Sequence, residues 1–120
     1  PFRQPPRRRL GNRPRMPDGS WGPRAPRQSR RQCAALPVLG HGAAARVVLV
    51  TSRETRRWVI PKGWIEPNEP PHRSAAREAF EEAGLHGEPE HEPIGAYAYA
   101  KRMSRGVTLP CQVLVYRFRV

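Results

Sequence analysis

The chain has 120 residues, a length that fits one domain, and only 38% of them are apolar while Pro and Gly contribute 15 and 10, so a large hydrophobic core is excluded. Lys plus Arg number 22 against 10 for Asp plus Glu, a formal net charge of +12 that directs attention to anionic partners: phosphorylated metabolites, nucleic acid or membrane surfaces. The lysines are only Lys62 and Lys101; the other 20 cations are arginines, a skew that nucleotide bias in the source explains as well as phosphate binding does.

Cys33 and Cys111 are too few and too far apart for a disulfide framework or a clustered zinc site, and a reducing compartment is expected. The longest uncharged stretch, residues 32–45, is broken by Pro37, Gly40, His41 and Gly42 and is shorter than the roughly 20 apolar residues a membrane span requires. Residues 1–9 are basic but no apolar run follows, so a secretory leader is not expected. The composition points to a cytoplasmic protein with no membrane partner.

In chain order, residues 1–33 hold ten arginines against one acidic residue, a net of +9, with seven prolines and few large apolar side chains. Burial there cannot repay the entropy of ordering, so a disordered Pro/Arg-rich tail is expected. The functional alternative, not favoured, is a basic arm holding nucleic acid by phosphate contacts, with Trp21 stacking on a base. A third reading takes Met16 as the natural start.

Residues 34–120 form the expected folded domain. Residues 34–39, 46–51 and 57–60 read as strands, the second and third joined as a hairpin through Ser52-Arg53-Glu54-Thr55-Arg56. After a loop through Pro67 and Asn68, helical periodicity predicts a helix over residues 71–83, opened by Pro71 and ended by Gly84. Residues 94–101 and 109–120 are further strand candidates. One helix among five strand-like runs predicts an α/β or α+β domain with a mixed sheet.

On that helix, Ala75, Ala76, Ala79, Phe80 and Ala83 fall on one arc and Glu78, Glu81 and Glu82 on another. Carboxylates three and four residues apart repel one another. Arg73 and Arg77 offset part of this repulsion, and a divalent cation offsets it more completely, because Mg2+ prefers hard oxygen ligands. The bland alternative is a solvated acidic face.

The wider spacing decides between them. Gly63, five residues, Glu69, seven residues, Arg77-Glu78, apolar Ala79, Phe80, Glu81-Glu82, Ala83, Gly84 and apolar Leu85 together match the Nudix box. Seven fixed identities at fixed spacing arise by chance on the order of 10^-9 per starting position at average residue frequencies. The flanking Trp58-Val59-Ile60-Pro61-Lys62-Gly63-Trp64 and Ala75-Ala76 resemble members that hydrolyse diphosphoinositol or diadenosine polyphosphates. The resemblance implies a Nudix-type α/β/α sandwich with a mixed sheet, here without its C-terminal closing helix, and one sheet face left bare with an exposed apolar patch.

It also implies a Mg2+-dependent pyrophosphohydrolase, with Mn2+ as a substitute, acting on a small phosphorylated molecule. Hydrolysis of a phosphoanhydride needs charge neutralisation and an oriented water, which a cation on carboxylates supplies. Glu78 and Glu82, one turn apart, can hold one ion, with Glu81 binding directly or through water and the Gly63 carbonyl as a further oxygen ligand. The resemblance assigns Glu69 and Arg77 to an ion pair that pins loop to helix. No Asp or Glu follows Glu92, so the general base is Glu78, Glu81 or Glu82 or lies beyond Val120.

Lys62 is placed to meet a substrate phosphate. Arg53, Arg56 and Arg57 on the hairpin, with Lys101, Arg102 and Arg105, can take further phosphates, which favours a highly anionic substrate over a nucleotide sugar. Trp64, Tyr97 and Tyr99 can stack on a base but at strand spacing are expected in the core. His41, His72, His86 and His91 show no metal-ligand spacing. The rival function is a non-catalytic nucleotide-sensing module with a basic nucleic-acid-binding arm.

Overall fold

The computed structural model describes residues 15–20, 22, 30–53 and 55–120. Its strands are β1 (Arg30–Leu39), β2 (Arg46–Val47), β3 (Val50–Thr51), β4 (Trp58–Val59), β5 (Lys62–Trp64), β6 (Glu88–Pro89), β7 (Gly95–Arg102) and β8 (Thr108–Arg119), with one helix, α1 (Pro71–Ala83).

The two long strands β1 and β8 lie side by side in parallel, Cys33 opposite Leu114 and Ala35 opposite Tyr116. On the outer edge of β1, β5 pairs with its first half and β2 with its end, both antiparallel. On the outer edge of β8, β7 and β6 pair antiparallel. The result is a mixed sheet, with β3 and β4 as a separate hairpin.

Alternation along the strands sorts the side chains into two faces. On one, Cys33, Ala35, Leu114, Tyr116 and Phe118 pack against Ala75 and Ala79 of α1. On the other, Ala34, Val113 and Val115 are covered by Leu36, Ile60, Ile94 and Tyr99. No helix covers that second face among the described residues. Ala34 and Val113 at its centre are nevertheless fully buried beneath those side chains.

The helix boundaries coincide with those expected, because both stop signals act locally. Pro71 opens α1, and Gly84 ends it in the left-handed conformation at φ 67, its N–H bonded to the Phe80 carbonyl at 2.8 Å. Phe80 departs from the expected apolar arc: it is exposed, its ring tilted against His86 at 5.0 Å.

Two strand expectations change. β1 begins at Arg30, four residues before the expected boundary at residue 34, and Gln32 and Cys33 are buried in it, so these residues belong to the sheet and not to the tail. The run 46–51 divides, its start pairing with β1 and Val50–Thr51 crossing to β4. Within the tail, Met16 to Ser20 form a turn closed by Met16 N–H on the Ser20 carbonyl at 2.7 Å. The rest of the expected disordered arm, Trp21 included, lies outside the described residues. Both cysteines are free, and no helix is long and apolar enough to cross a membrane.

Candidate active site

Gly63 is the pivot between sheet and helix. It sits in β5 opposite Cys33, so it faces α1, while its neighbours Lys62 and Trp64 face the other side of the sheet. A Cβ at Gly63 would collide with the Glu78 carboxylate, so only glycine lets that side chain lie against the strand. The Gly63 carbonyl is approached by the Cys33 thiol, with Sγ at 3.8 Å. Burial pushes that thiol up to about 12, so it is protonated and a weak donor.

Arg77 organises the acidic residues. Its Nε donates to Glu69 at 3.2 Å, and its Nη1 to Glu78 at 3.1 Å and Glu81 at 3.3 Å, with Glu66 at 3.8 Å from Nη2. One guanidinium therefore offsets the repulsion along the helix that the spacing predicts. Although burial opposes it, the hydrogen bond to Glu69 and the surrounding carboxylates hold Arg77 above its ordinary value. Glu69 is further fixed by Ser74, whose hydroxyl donates to it at 2.5 Å; this bond and then Arg77 hold Glu69 below the usual carboxylate range. The fully buried Ser74 was not singled out from the sequence, and its position five residues after Glu69 is the signal that would have found it.

Glu78 and Glu82 shift the opposite way from Glu69. Burial raises both, and each also feels a like charge, Glu82 on Glu78 and Glu81 on Glu82. Glu82 accepts the Lys62 backbone N–H at 3.0 Å, tying the end of the helix to β5.

Glu81 and Glu82 line a cleft of about 470 Å³ together with Lys62, Arg53, Lys101 and Gln32. An adjoining cleft of about 660 Å³ shares Lys62 and Lys101 and adds Arg57, Arg102 and Tyr99. Of the seven cations expected to meet phosphates, Lys62, Arg53, Arg57, Lys101 and Arg102 line this pair of clefts beside the acidic helix end, whereas Arg56 and Arg105 line neither. Glu78 lies behind this lining, against Gly63.

Tyr99 and Trp64 are half-buried, and each lies beneath a lysine ammonium. Gln32, missed in the sequence for want of a motif, is 3% exposed and accepts the Tyr99 hydroxyl at 2.6 Å.

The face of the helix that carries Glu78, Glu81 and Glu82 offers only oxygen ligand atoms, which fits a hard divalent cation. Among the described residues no three His, Cys, Asp or Glu side chains are gathered round one point, since Glu81 is turned to Arg77 and Glu82 to the Lys62 amide. A cation held here would have to draw on Glu78, Glu81 and Glu82 from one helix face and compete with those N–H donors.

The chain resembles characterised proteins in both sequence and fold. The family model for the NUDIX domain matches residues 29–120. A stretch of 42 residues is 52% identical to diphosphoinositol polyphosphate phosphohydrolase 3-beta of Bos taurus, covering 34% of this chain and 26% of that protein. Against diphosphoinositol polyphosphate phosphohydrolase 2 of Rattus norvegicus the identity is 50% over 42 residues, or 24% of that protein, so the match spans about a quarter of these relatives. Among solved structures, the Ap4A hydrolase of C. elegans superposes with a TM-score of 0.53 at 15% identity, covering 77% of this chain and 70% of that one. The NUDIX domain of Shewanella oneidensis NrtR, crystallised with ADP ribose, superposes with a TM-score of 0.55 at 17% identity, covering 77% and 60%. Those likenesses carry the fold, and the match over residues 29–120 carries the lineage: the chain belongs to the Nudix family.

Proposed function

We propose that the chain is a Mg2+-dependent hydrolase of phosphoanhydride bonds in a polyphosphorylated small molecule, of the diphosphoinositol polyphosphate or dinucleoside polyphosphate kind. The observation that carries this reading is the single cleft in which Glu81 and Glu82 meet Lys62, Arg53 and Lys101. The names of the relatives support the substrate class.

Bound Mg2+ supplies charge neutralisation on the phosphates and an activated water. The protein's own groups do the rest. Glu82 spends Oε2 on the Lys62 N–H, which leaves Oε1 as a donor atom, and Glu81 reaches the cleft from the exposed end of the same turn. Lys62, Arg53 and Lys101 bind and orient phosphate oxygens. Burial moves Glu78 and Glu82 toward the range in which a carboxylate serves as general base, so the base is drawn from the box glutamates. Arg77 and Glu69 hold the loop to the helix and act on the reaction only through Glu78 and Glu81.

The test is phosphate release by wild type and Glu82→Gln, with and without Mg2+, from diphosphoinositol polyphosphates, dinucleoside polyphosphates, ADP-ribose and nucleoside triphosphates. Glutamine keeps an acceptor for the Lys62 amide, so the variant folds. Metal-dependent release that disappears in Glu82→Gln supports the proposal; release that survives the substitution, or none from any substrate, refutes it.

A further inference from the structure

Strand β7 is the long strand at the margin of the sheet: it runs for 8 residues, Gly95–Arg102, and among the described residues it pairs only with β8. The other marginal strands, β2, β5 and β6, are 2 or 3 residues long, and β6 carries Pro89. Short edges, prolines and early charges are how a sheet keeps further strands from adding to it; β7 is long, has no proline and carries no charge before Lys101.

The backbone groups on its outer side follow from the ladder on its inner side. Met103 N–H donates to the Val107 carbonyl at 2.7 Å, continuing the register that sets Lys101 opposite Leu109. Odd-numbered residues therefore exchange bonds with β8, and the N–H and C=O groups of Ala96, Ala98, Ala100 and Arg102 point away from it. Ile94 N–H bonds to the Val115 carbonyl although Val115 is already opposite Gly95, so the ladder is regular only from Ala96 onward. The outer edge thus spans residues 96–102, with its midpoint at Tyr99, whose own backbone groups turn inward.

The two ends of β7 carry opposite charge. Glu90 and the exposed Glu92 lead into it, and the exposed Arg102 and Arg105 follow. At roughly 3.3 Å per residue the strand holds these ends about 26 Å apart within one chain. Arg102 and Arg105 form no ion pair among the described residues.

We propose that the outer edge of β7 docks a second copy of this chain, antiparallel about a two-fold axis at Tyr99. In that register Ala96 exchanges backbone bonds with Arg102 of the other copy, and Ala98 with Ala100. The basic end of each strand then lies against the acidic lead-in of the other, bringing Arg105 of one copy beside Glu92 of its mate, whereas a parallel pairing sets like charges together. Ala98 and Ala100 are exposed and small, so the approaching backbone meets no bulky side chain on the helix side. On the opposite side Tyr97 stands across from Lys101 of the other copy, which places a ring from the second chain at the rim of the clefts that Lys101 lines.

Sedimentation equilibrium of the full chain tests this, in about 0.15 M salt so that the repulsion between two chains of net charge +12 is screened. The mass rises with concentration from the 13.6 kDa of one chain toward twice that value, with a Kd on the order of 10–100 µM, as befits an interface below the standard size. Ala98→Pro removes an outward N–H and leaves the inward bonds to β8 in place, and it weakens association about tenfold or more. Arg105→Glu and Glu92→Arg each bring like charges together in a pair of identical chains and weaken it similarly. An equimolar mixture of these two variants recovers wild-type association, because both contacts in the mixed pair are again of opposite sign. Damage to folding cannot produce that recovery, so the mixture decides the matter should Ala98→Pro not fold. Wild type that stays a single chain at the highest concentration overturns the inference, and amide protection of Ala96, Ala98 and Ala100 in that monomer would assign the edge to another segment of the same chain. A dimer indifferent to Ala98→Pro and to both charge reversals, or a mixture that fails to recover, overturns it as well.

Discussion

The carboxylate of Glu78 occupies the space that a side chain on Gly63 would fill. Strand and helix are therefore fitted through a missing methyl group, and the candidate cation ligand with the least exposure is set by a backbone position 15 residues earlier in the chain. Gly63→Ala is expected to push the Glu78 carboxylate off the strand and, because what must move is the far end of a flexible side chain, to cost no more than the low end of the ~1–3 kcal/mol range for overpacking. Turnover should fall further than stability, because Glu78 is displaced even in molecules that fold. Urea unfolding and phosphate release measured side by side check this, and an alanine variant with wild-type turnover would exclude Glu78 from the site.

Arg77 is the next test, because it touches Glu66, Glu69, Glu78 and Glu81 together. Its side chain is 28% exposed, so its ion pairs count for less than fully buried ones. Arg77→Ala is expected to cost about 1–2 kcal/mol by chemical denaturation. Arg77→Lys should recover only part of that, since one ammonium cannot reproduce a fork that reaches several carboxylates. Full recovery by lysine would show that charge alone, and not geometry, binds loop to helix.

Ser74 gives a pH-dependent prediction whose sign can be worked out. Its hydroxyl, and then Arg77, hold Glu69 below the usual carboxylate range. A depressed acid stabilises the fold above its ordinary pKa and loses that contribution as pH falls through the folded value. Ser74→Ala removes the first cause and should destabilise the chain by about 1 kcal/mol at neutral pH. The gap to wild type should narrow as the pH is lowered through the carboxylate range. Melting curves across that range read it directly, and a gap that stays constant would mean that Ser74 acts by packing alone.

The parts of this architecture that were legible in the sequence are those governed by near neighbours. Pro71 and Gly84 bound the helix through their own φ preferences, and the box spacing from Gly63 to Leu85 gathered most of the site. What was not legible depends on partners far away. Arg30, Arg31 and Gln32 read as tail because they are polar, yet they pair with Cys111, Gln112 and Val113. The run at residues 46–51 reads as one strand, but Val48 N–H still bonds to Pro37 while Val50 has turned to Val59. Tyr99 packs on the second face of the sheet as its strand spacing suggests, but Tyr97 is exposed, and the spacing could not reveal that a lysine from another strand lies over the rings of Tyr99 and Trp64.

Gly84→Ala tests the end of the helix that carries the site. Gly84 adopts φ 67, a left-handed conformation that a side chain penalises by about 1 kcal/mol, although nothing lies within 4 Å of where its Cβ would be. The loss is therefore conformational and not steric, so Gly84→Asn, which tolerates that region better, should be milder than Gly84→Ala. Equal losses for the two variants would point to a steric cause after all.

The final prediction concerns the cation itself. Burial raises Glu78 and Glu82, so ionising them opposes folding: their contribution to stability is complete below the ordinary glutamate pKa and is lost as pH rises through the folded values. In metal-free buffer near neutrality Glu82→Gln should therefore melt higher than wild type, and the difference should shrink on acidification. Added Mg2+ reverses the order, because a ligand that binds only the folded chain stabilises it, by about 2.7 kcal/mol at a hundred times its Kd, and Glu82→Gln has lost one of the donors. The crossing of the two melting temperatures as Mg2+ is titrated identifies Glu82 as a group whose charge strains the empty fold and is relieved by the cation. Wild type melting higher at every Mg2+ concentration, including none, would instead mean that the hydrogen bond from the Lys62 amide outweighs the cost of burial, leaving Glu82 a strut between helix and strand.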